Sequence, residues 1–257
     1  MTTLQAPPSA ARVAVEAPGR HGWWRWLALV LLLAAGALFA HSPYVSVSEI
    51  EVVGAVRSDT RALIDGAGVG EGALLLWVDT GALERAVLAD PWVFDARVTK
   101  VWPDRLVVEV LERRPVAWIE GVLGWMLVGE DGSVVDRARR PRQGLLRASI
   151  AFPDQDPGVR PVDPAWHEIV GMALVLEDAI GGTLVLEMRG AEMWTEALSH
   201  QVRLGHPIDL ADKARTLLAM LGAELPQGAA IDLTSPSRPA LILNDSRHEV
   251  EGSDEES

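Results

Sequence analysis

Three groups of residues have types and spacing that suggest chemistry at a site, and none of them is complete. Residues 68–72 carry glycine at every second position, as some phosphate-binding loops do. They follow a predicted helix rather than a strand, so a flexible turn is the better interpretation. His200 and His206 flank a predicted strand without a third metal ligand nearby. His167 precedes a glutamate but lacks the second histidine of a helical zinc motif. We therefore expect ordinary surface histidines and no metal.

The remaining candidates for catalysis also fail. The sequence contains no cysteine, which excludes disulfides, thiolate metal sites and a cysteine nucleophile. No pair of carboxylates stands out as an acid–base couple, and the Ser and Thr residues fall in predicted caps and turns rather than at a strained nucleophile elbow. Most of the ten Trp residues fall at strand ends or apolar helix positions, which favours the core over carbohydrate stacking. The sequence predicts a protein that is not an enzyme and uses no cofactor.

Charge limits the class of partner. The chain has 257 residues and a formal net charge of −13, unevenly distributed. Residues 1–40 contain three basic and one acidic residue, whereas residues 41–257 contain 20 basic and 35 acidic residues. Because such an acidic body repels phosphate backbones, we expect no nucleic-acid partner. The length suits two domains.

An apolar segment near the N-terminus predicts a membrane anchor. Residues 26–40 contain no polar side chain, and residues 23–25 extend the run to the short end of the roughly 17–25 residues that a spanning helix needs. The preceding arginines place residues 1–22, a predicted disordered tail, in the cytoplasm and the bulk of the chain outside it. The alternative is a signal peptide cleaved after Ala37, but the hydrophilic lead is long for one. We expect a transmembrane helix over 23–40.

The next segment, residues 45–113, predicts a small domain. Residues 45–53 alternate between apolar and polar types and end at Gly54, which indicates a strand. Ser58 can cap a short helix, and Asp79 or Thr80 begins a second one, with Leu83, Val87 and Leu88 facing inward. The predicted order continues with two strands.

Those two strands form a predicted hairpin around Pro103. Val98, Lys100 and Trp102 share one strand parity, so Trp102 is expected on the same face as Val98. In the second strand Leu106, Val108 and Val110 share one parity. Pro103 suits the second position of a type I turn. Pro115 then ends the hairpin.

Residues 114–244 predict a mixed β domain with two helices, so the fold class is α+β. Asp163 and Asp209 are the expected helix caps, and an arginine-rich loop is expected over 137–147. The predicted strands of this domain cover residues 118–119, 125–128, 133–136, 183–189, 192–197, 200–204, 229–234 and 238–243. Residues 245–257 are acidic, show no apolar pattern and are expected to be disordered.

Taken together, these features resemble the FtsQ/DivIB family of bitopic bacterial division proteins. The resemblance covers nearly the whole chain, and it lies in the order and spacing of its motifs. The matching residues are Ile50-x-Val52-x-Gly54, Pro91-Trp92-Val93, Val98, Lys100, Trp102-Pro103-Asp104, Leu106, Glu112-Arg113-x-Pro115-Val116-Ala117-Trp118, Val202-x-Leu204-Gly205, Lys213 and Ile231-Asp232-Leu233.

The resemblance implies that residues 45–113 form a POTRA domain, that residues 114–244 form the family's β domain, and that the protein is a non-catalytic scaffold at the division septum. It implies a recruitment role for Val98 and Lys100. It also implies that the last strand pairs with FtsB- and FtsL-type partners; the residues concerned are Arg238, Pro239, Ala240, Leu241, Ile242 and Leu243. The partner strand here lacks the aromatic residue that some members place in it.

Structural roles are the alternative for both sets of site residues. Val98 suits a core position, and Lys100 suits a solvated edge. Residues 239–243 suit an ordinary terminal strand, although an open apolar edge is an aggregation hazard that pairing with a partner would remove. Two other functions remain possible from the sequence: a POTRA-bearing envelope chaperone or polypeptide-transport component, and an anchored envelope enzyme.

Overall fold

The computed structural model describes residues 22–40, 46–177, 179–180, 184–223, 225–226 and 228–243. The predicted tail at 245–257 lies outside these ranges, as do residues 1–21 of the predicted N-terminal tail and residue 45, at which the first strand was expected to begin. The described residues form one N-terminal helix and two domains, each with its own β-sheet and hydrophobic core.

The N-terminal helix α1 covers Gly22–Ala40. Its large apolar side chains are exposed, with Val30 at 59% and Leu32 at 70%. Within the described ranges, no helix is both long enough and apolar enough to cross a membrane.

The first domain has the predicted strand–helix–helix–strand–strand order. Its elements are β1 (Glu49–Val53), α2 (Thr60–Gly66), a 3₁₀ turn (Leu75–Trp77), α3 (Thr80–Leu88), β2 (Val93–Val101) and β3 (Arg105–Glu112). In the sheet, β3 lies in the centre, parallel to β1 and antiparallel to β2. The helices cover one face because Ile64 of α2 and Leu83 and Val87 of α3 are buried against Leu106 and Val108 of β3.

Several local predictions for the first domain are wrong. Asp59, not Ser58, caps α2, by accepting from the backbone N–H of Ala62. Leu88 is 42% exposed, because it follows the last inward residue of α3. Trp102 is 55% exposed and lies in the turn after β2, where strand parity no longer fixes its side. The Trp102–Pro103 peptide bond is cis, which the predicted type I turn did not include.

Glu112, at the end of β3, orders the loop that follows β1. Its Oε1 atom accepts from the backbone N–H groups of Val56, Arg57 and Ser58 at 2.7, 2.6 and 2.8 Å. Burial alone raises the pKa of Glu112, but these donors outweigh it and hold the pKa below its ordinary value. The glutamate of the Glu112-Arg113 motif therefore has a structural role: it holds the loop at residues 56–58 against the end of β3.

The second domain is a mixed sheet with two helices on one face. Its elements are β4 (Pro115–Gly121), β5 (Trp125–Gly129), β6 (Val134–Ala138), β7 (Leu146–Phe152), α4 (Pro164–Leu176), β8 (Val185–Arg189), β9 (Glu192–Ala197), β10 (His200–Gly205), α5 (Leu210–Leu221), β11 (Ala230–Asp232) and β12 (Ala240–Ile242). The nine strands lie in the order β12-β11-β10-β9-β8-β7-β4-β5-β6. The α+β class is therefore observed.

One strand was not predicted. The expected loop over 137–147 begins within β6 and ends within β7, and β7 fills the centre of the sheet between β4 and β8. The sequence of β7 alternates only weakly between apolar and polar residues, and it carries Arg147 on one face. The strand is held instead by pairing with parallel neighbours on both sides. A strand that the sheet surrounds on both sides needs little local signal of its own.

The two helices of the second domain begin differently. Asp163 caps α4 as predicted, by accepting from the N–H of Ala165. Asp209 has a left-handed backbone and makes no side-chain cap; instead the N–H of Leu210 donates to Oε2 of Glu168 at 2.8 Å. The cap of α5 thus comes from α4, which local sequence does not show. Leu174, which its helical spacing from Val170 suggests should face inward, is 40% exposed.

The buried Lys213 of α5 is also structural. It is 1% exposed, and its Nζ donates to the carbonyl oxygens of Leu204 at 2.7 Å and His206 at 3.0 Å. Burial lowers the pKa of Lys213, although Asp209 and Glu168 act in the opposite direction. Through these two hydrogen bonds Lys213 connects the end of β10 to helix α5.

Candidate partner-binding site

The terminal strand β12 forms one edge of the nine-stranded sheet. It pairs antiparallel with β11, so that Leu241 lies opposite Ile231 and Ile242 lies opposite Ala230. An antiparallel strand directs alternate backbone N–H and C=O groups away from its neighbour. On β12 these outward groups have no covering segment among the residues that the structure describes. The edge has the hydrogen-bonding capacity to accept another strand.

All of the predicted partner-binding residues lie together at this edge. Arg238 and Pro239 are in the turn before β12, where the N–H of Arg238 donates to the carbonyl of Ser235. Ala240 begins the strand, and every residue of β12 is exposed. Leu241, Ile242 and Leu243 are 42%, 48% and 65% exposed. The edge therefore combines free backbone groups with apolar side chains.

The opposite edge of the same sheet, β6, is covered. The N–H of Val134 donates to the carbonyl of Val159 at 2.8 Å, and the N–H of Gly158 donates to the carbonyl of Val134 at 2.7 Å. Further along β6, the guanidinium of Arg137 donates from Nε to the carbonyl of Gln155 at 2.9 Å. The chain after β7 thus blocks β6 from strand addition.

Both edges of the first domain's sheet carry side-chain hydrogen bonds as well. On β2, Oε1 of Glu84 accepts from the N–H of Val98 at 2.9 Å. On β1, Nη1 of Arg61 donates to the carbonyl of Ile50 at 3.2 Å. Each of these hydrogen bonds occupies one backbone group of its edge strand. Of the four sheet edges in the described ranges, β12 is the one for which we find no hydrogen bond to a group outside the sheet.

Ion pairs brace the sheet next to this edge. Arg203 of β10 donates to Glu192 of β9 at 2.6 Å and to Asp232 of β11 at 3.2 Å. Hydrogen bonding from Arg203 holds the pKa of Glu192 below its ordinary value, and Glu192 in turn raises that of Arg203. Burial raises the pKa of Asp232, but Thr234 and Arg203 outweigh it and lower the pKa. These contacts link β9, β10 and β11, and β12 pairs with the last of these strands.

Val98 and Lys100 lie on the edge strand β2 of the first domain, in different environments. Val98 is 7% exposed and belongs to the core, which matches its structural alternative. Lys100 is partly exposed, and its Nζ donates to the carbonyl of Leu76 at 3.1 Å. The exposed Leu76 and Trp77 lie beside it, at 46% and 70%. Of the two predicted recruitment residues, Lys100 alone has an accessible side chain.

Tryptophan exposure differs from expectation. Trp118 and Trp166 are buried, but Trp77 and Trp102 of the first domain are 70% and 55% exposed. Propensity places tryptophan in cores, whereas the short turns that hold these two give them no second layer to pack against.

In the parts of the chain that the structure describes, we find no group of three or more His, Asp or Glu residues arranged to hold a metal.

Comparisons with known proteins agree with this architecture. Residues 45–113 match the family model for the POTRA domain, FtsQ-type. The Cell division protein FtsQ of Streptomyces venezuelae is 32% identical over 82% of this chain and 80% of that protein. The protein of the same name from Mycobacteroides abscessus is 33% identical over 84% of this chain and 69% of that protein.

A third relative is longer. The Cell division protein FtsQ of Mycolicibacterium smegmatis is 29% identical over 85% of this chain, and the alignment spans 63% of that protein's length. The similarity to all three extends well beyond the POTRA domain into the nine-stranded sheet and its helices. The chain therefore belongs to the FtsQ family of cell division proteins.

Proposed function

We propose that this protein is a non-catalytic scaffold of the bacterial division machinery that captures FtsB- and FtsL-type partners by strand addition to β12. The single observation that carries the proposal is the open edge at Ala240–Ile242. Among the other three sheet edges of the described residues, β6 is covered by the chain after β7, and β2 and β1 each have one backbone group bonded to a side chain. An extended partner segment that adds to such an edge gains main-chain hydrogen bonds, and alternate side chains supply specificity.

The apolar exposure of the edge supports the same reading. A β-strand left open with Leu241 and Ile242 half exposed is a template for aggregation. A partner strand removes that hazard by burying both the backbone groups and the side chains. The proposed contact also includes Leu243 and the turn residues Arg238 and Pro239, which lie directly beside the strand.

We further propose that the apolar segment 23–40 anchors the chain in the cytoplasmic membrane, with the N-terminus in the cytoplasm and both domains outside it. The support is the composition of the segment, because α1 as described falls short of a membrane-spanning helix: residues 26–40 contain no polar side chain, and the large apolar side chains of α1 are exposed. Exposed leucines on an isolated helix are stable in hydrocarbon rather than in water. Membrane fractionation of the full chain tests this, and a mature form beginning at Leu38 would contradict it.

Recruitment to the septum through the POTRA domain is assigned to the surface around Lys100. The lysine side chain lies over the 3₁₀ turn, beside Leu76 and Trp77. A cation flanked by exposed apolar groups is a suitable protein contact, because the charge can steer a partner and the apolar groups offer surface for it to bury.

Imaging of a full-chain fluorescent fusion in dividing cells, combined with co-purification of FtsB- and FtsL-type proteins, tests the scaffold proposal. We expect enrichment at the septum and recovery of both partners. The competing function, an envelope chaperone or polypeptide-transport component, predicts uniform distribution and binding of unfolded clients instead. Uniform distribution without recovery of either partner would reject the scaffold.

A further inference from the structure

A cleft of about 440 Å³ lies where the two domains meet. Arg57 and Trp92 of the first domain form one side, and Arg114, Trp118 and Arg142 of the second domain form much of the other. We propose that this cleft binds an acidic peptide segment of a partner protein. The cleft is remote from β12, since β4, β5 and β6 occupy the far end of the nine-stranded sheet.

Buried hydrogen-bond donors without acceptors give the first reason. Trp118 is 3% exposed and lines the cleft, and its indole Nε1 has no hydrogen-bond partner among the described residues. Arg147 lies next to Trp118 in the register of β4 and β7, behind the residues that line the cleft, and its buried Nε also has no partner among the described residues. Both side chains project from the sheet face opposite α4 and α5, because Ala117 and Leu146, which precede them, face the helices. A buried unsatisfied donor is costly, so a ligand that brings an acceptor is favoured here.

The charge of the cleft gives the second reason. Four arginines line it, against one carboxylate, Asp136, in a chain whose formal net charge is −13. Arg114 already pairs with Glu130 and Glu177. Arg137 is also committed, through its ion pair with Asp156 at 3.4 Å. Positive charge concentrated on one concave surface of an acidic protein selects an anion.

The two remaining arginines are available to a ligand. The guanidinium of Arg57 lies over the Trp92 ring, with 4.9 Å between the Cζ atom and the ring centroid. A guanidinium stacked on an aromatic ring keeps its edge N–H groups available for hydrogen bonds. Arg142 is exposed in the segment between β6 and β7, and we find no ion pair for it in the described ranges. Both can form paired hydrogen bonds to a carboxylate.

The apolar part of the lining favours a peptide over a free anion. Pro115, Leu127, Ala138 and Leu145 contribute apolar surface between the arginines. Inorganic phosphate or a lipid headgroup makes no use of such surface. A peptide with carboxylates beside apolar side chains uses both, and the volume suits a segment of a few residues.

The test titrates the full-length chain, held in non-ionic detergent that covers helix α1, with a short peptide that alternates glutamate and leucine and is blocked at both ends. The readout is the NMR signal of the Trp118 indole N–H, assigned with Trp118→Phe. We expect this signal to shift on titration, and to stay unmoved with a matched peptide in which glutamine replaces glutamate. The location of the signal separates cleft binding from strand addition at β12.

Charge reversal of the two available arginines supplies the variants. Arg57→Glu and Arg142→Glu should each weaken binding by about tenfold or more, because each removes a charge-assisted pair and adds repulsion. Arg97→Glu, an exposed position on β2 outside the cleft, is the matched control and should bind within about twofold of wild type. Trp118→Phe, whose peptide binding is followed by calorimetry because the variant has no Trp118 indole signal, should weaken binding several-fold while keeping the fold.

Three results would overturn the proposal. The first is a peptide titration that leaves the Trp118 signal in place. The second is equal affinity of the Arg57→Glu and Arg142→Glu variants and wild type. The third is a shift of the same signal by inorganic phosphate or phosphatidylglycerol vesicles but not by the peptide, which would assign the cleft to a phosphate ligand.

Discussion

Arg113 and Asp131 form an ion pair across the domain junction, with 2.9 Å between Nε and Oδ2. Both side chains are mostly buried, at 16% and 18% exposure. The same guanidinium donates from Nη1 to the carbonyl of Pro91 at 2.9 Å and also to that of Val93. One side chain thus binds the POTRA domain and the first hairpin of the second domain, which explains the arginine of the Glu112-Arg113 motif structurally.

Removing either partner of this pair should destabilise the protein. We expect Arg113→Met and Asp131→Asn each to lower the free energy of unfolding by about 2–4 kcal/mol, because each leaves the other group buried without its counter-charge. The double variant should cost less than the sum of the two. Urea unfolding of the set, with Arg97→Ala as a surface control, measures this. Additive effects would mean that the pair contributes nothing as a pair.

The same pair should make stability sensitive to acid. Burial raises the pKa of Asp131, but Arg113 and Ser133 outweigh it and hold the pKa below its ordinary value of about 3.9. A carboxyl whose pKa is lower in the folded state contributes stability above its unfolded pKa and loses it as pH falls through the folded pKa. The stability difference between wild type and Asp131→Asn should therefore be constant above about pH 5 and shrink below about pH 4. A difference that persists at pH 2, measured by thermal melts, would show that the charge is not responsible.

Val98 and Lys100 should separate folding from recruitment. Lys100→Glu should reduce septal localisation of the full-chain fusion and change the free energy of unfolding by no more than about 0.5 kcal/mol, since the side chain is at the surface. Val98→Ala should cost about 1.5–3 kcal/mol, because Val98 is a core residue. A large loss of stability in Lys100→Glu would assign that lysine to folding.

Trp102 should matter little to stability. At 55% exposure it buries too little surface for a core contribution, so Trp102→Ala should cost less than about 1 kcal/mol. Trp166→Ala is the contrast: its side chain is fully buried, and its Nε1 donates to the carbonyl of Gly132 at 2.8 Å. That variant should cost about 3–5 kcal/mol. Equal melting curves for the two variants would contradict the assignment of burial.

Proline substitutions should locate the docking edge on β12. One of Leu241 and Ile242 has its N–H directed outward, because backbone groups alternate along the strand. Proline at that position should abolish binding of an FtsB-type partner and leave the fold intact. Proline at the other position removes a bond to β11 and should loosen the sheet edge.

Leu243→Ala is the side-chain control for these prolines and should weaken binding by only about 1 kcal/mol. Partner titration beside a circular dichroism melt of each variant distinguishes the cases. Two folded proline variants that bind as tightly as wild type would exclude β12 as the docking site.

Local patterns in the sequence determined much of the fold. Alternation placed Leu106, Val108 and Val110 on the core face of β3, and all three are buried there. Asp79 and Asp163 cap their helices because a cap needs only its own side chain and the next few backbone N–H groups. Such features depend on neighbours within one turn or one pleat, and the sequence shows those neighbours directly.

Contacts between distant residues were decided by the tertiary structure alone. Glu112 reaches back to the loop at 56–58, and Arg113 reaches forward to Asp131. The N–H of Leu210 is capped by Glu168 of another helix, although the adjacent Asp209 is the residue that the sequence predicts as the cap. The alternation in the sequence predicted a strand over residues 238–243. Only the order of strands in the sheet shows that β12 lies at an edge and has no strand on its outer side among the described residues. Strand order follows from burial summed over the whole chain, and no local window of sequence contains that sum.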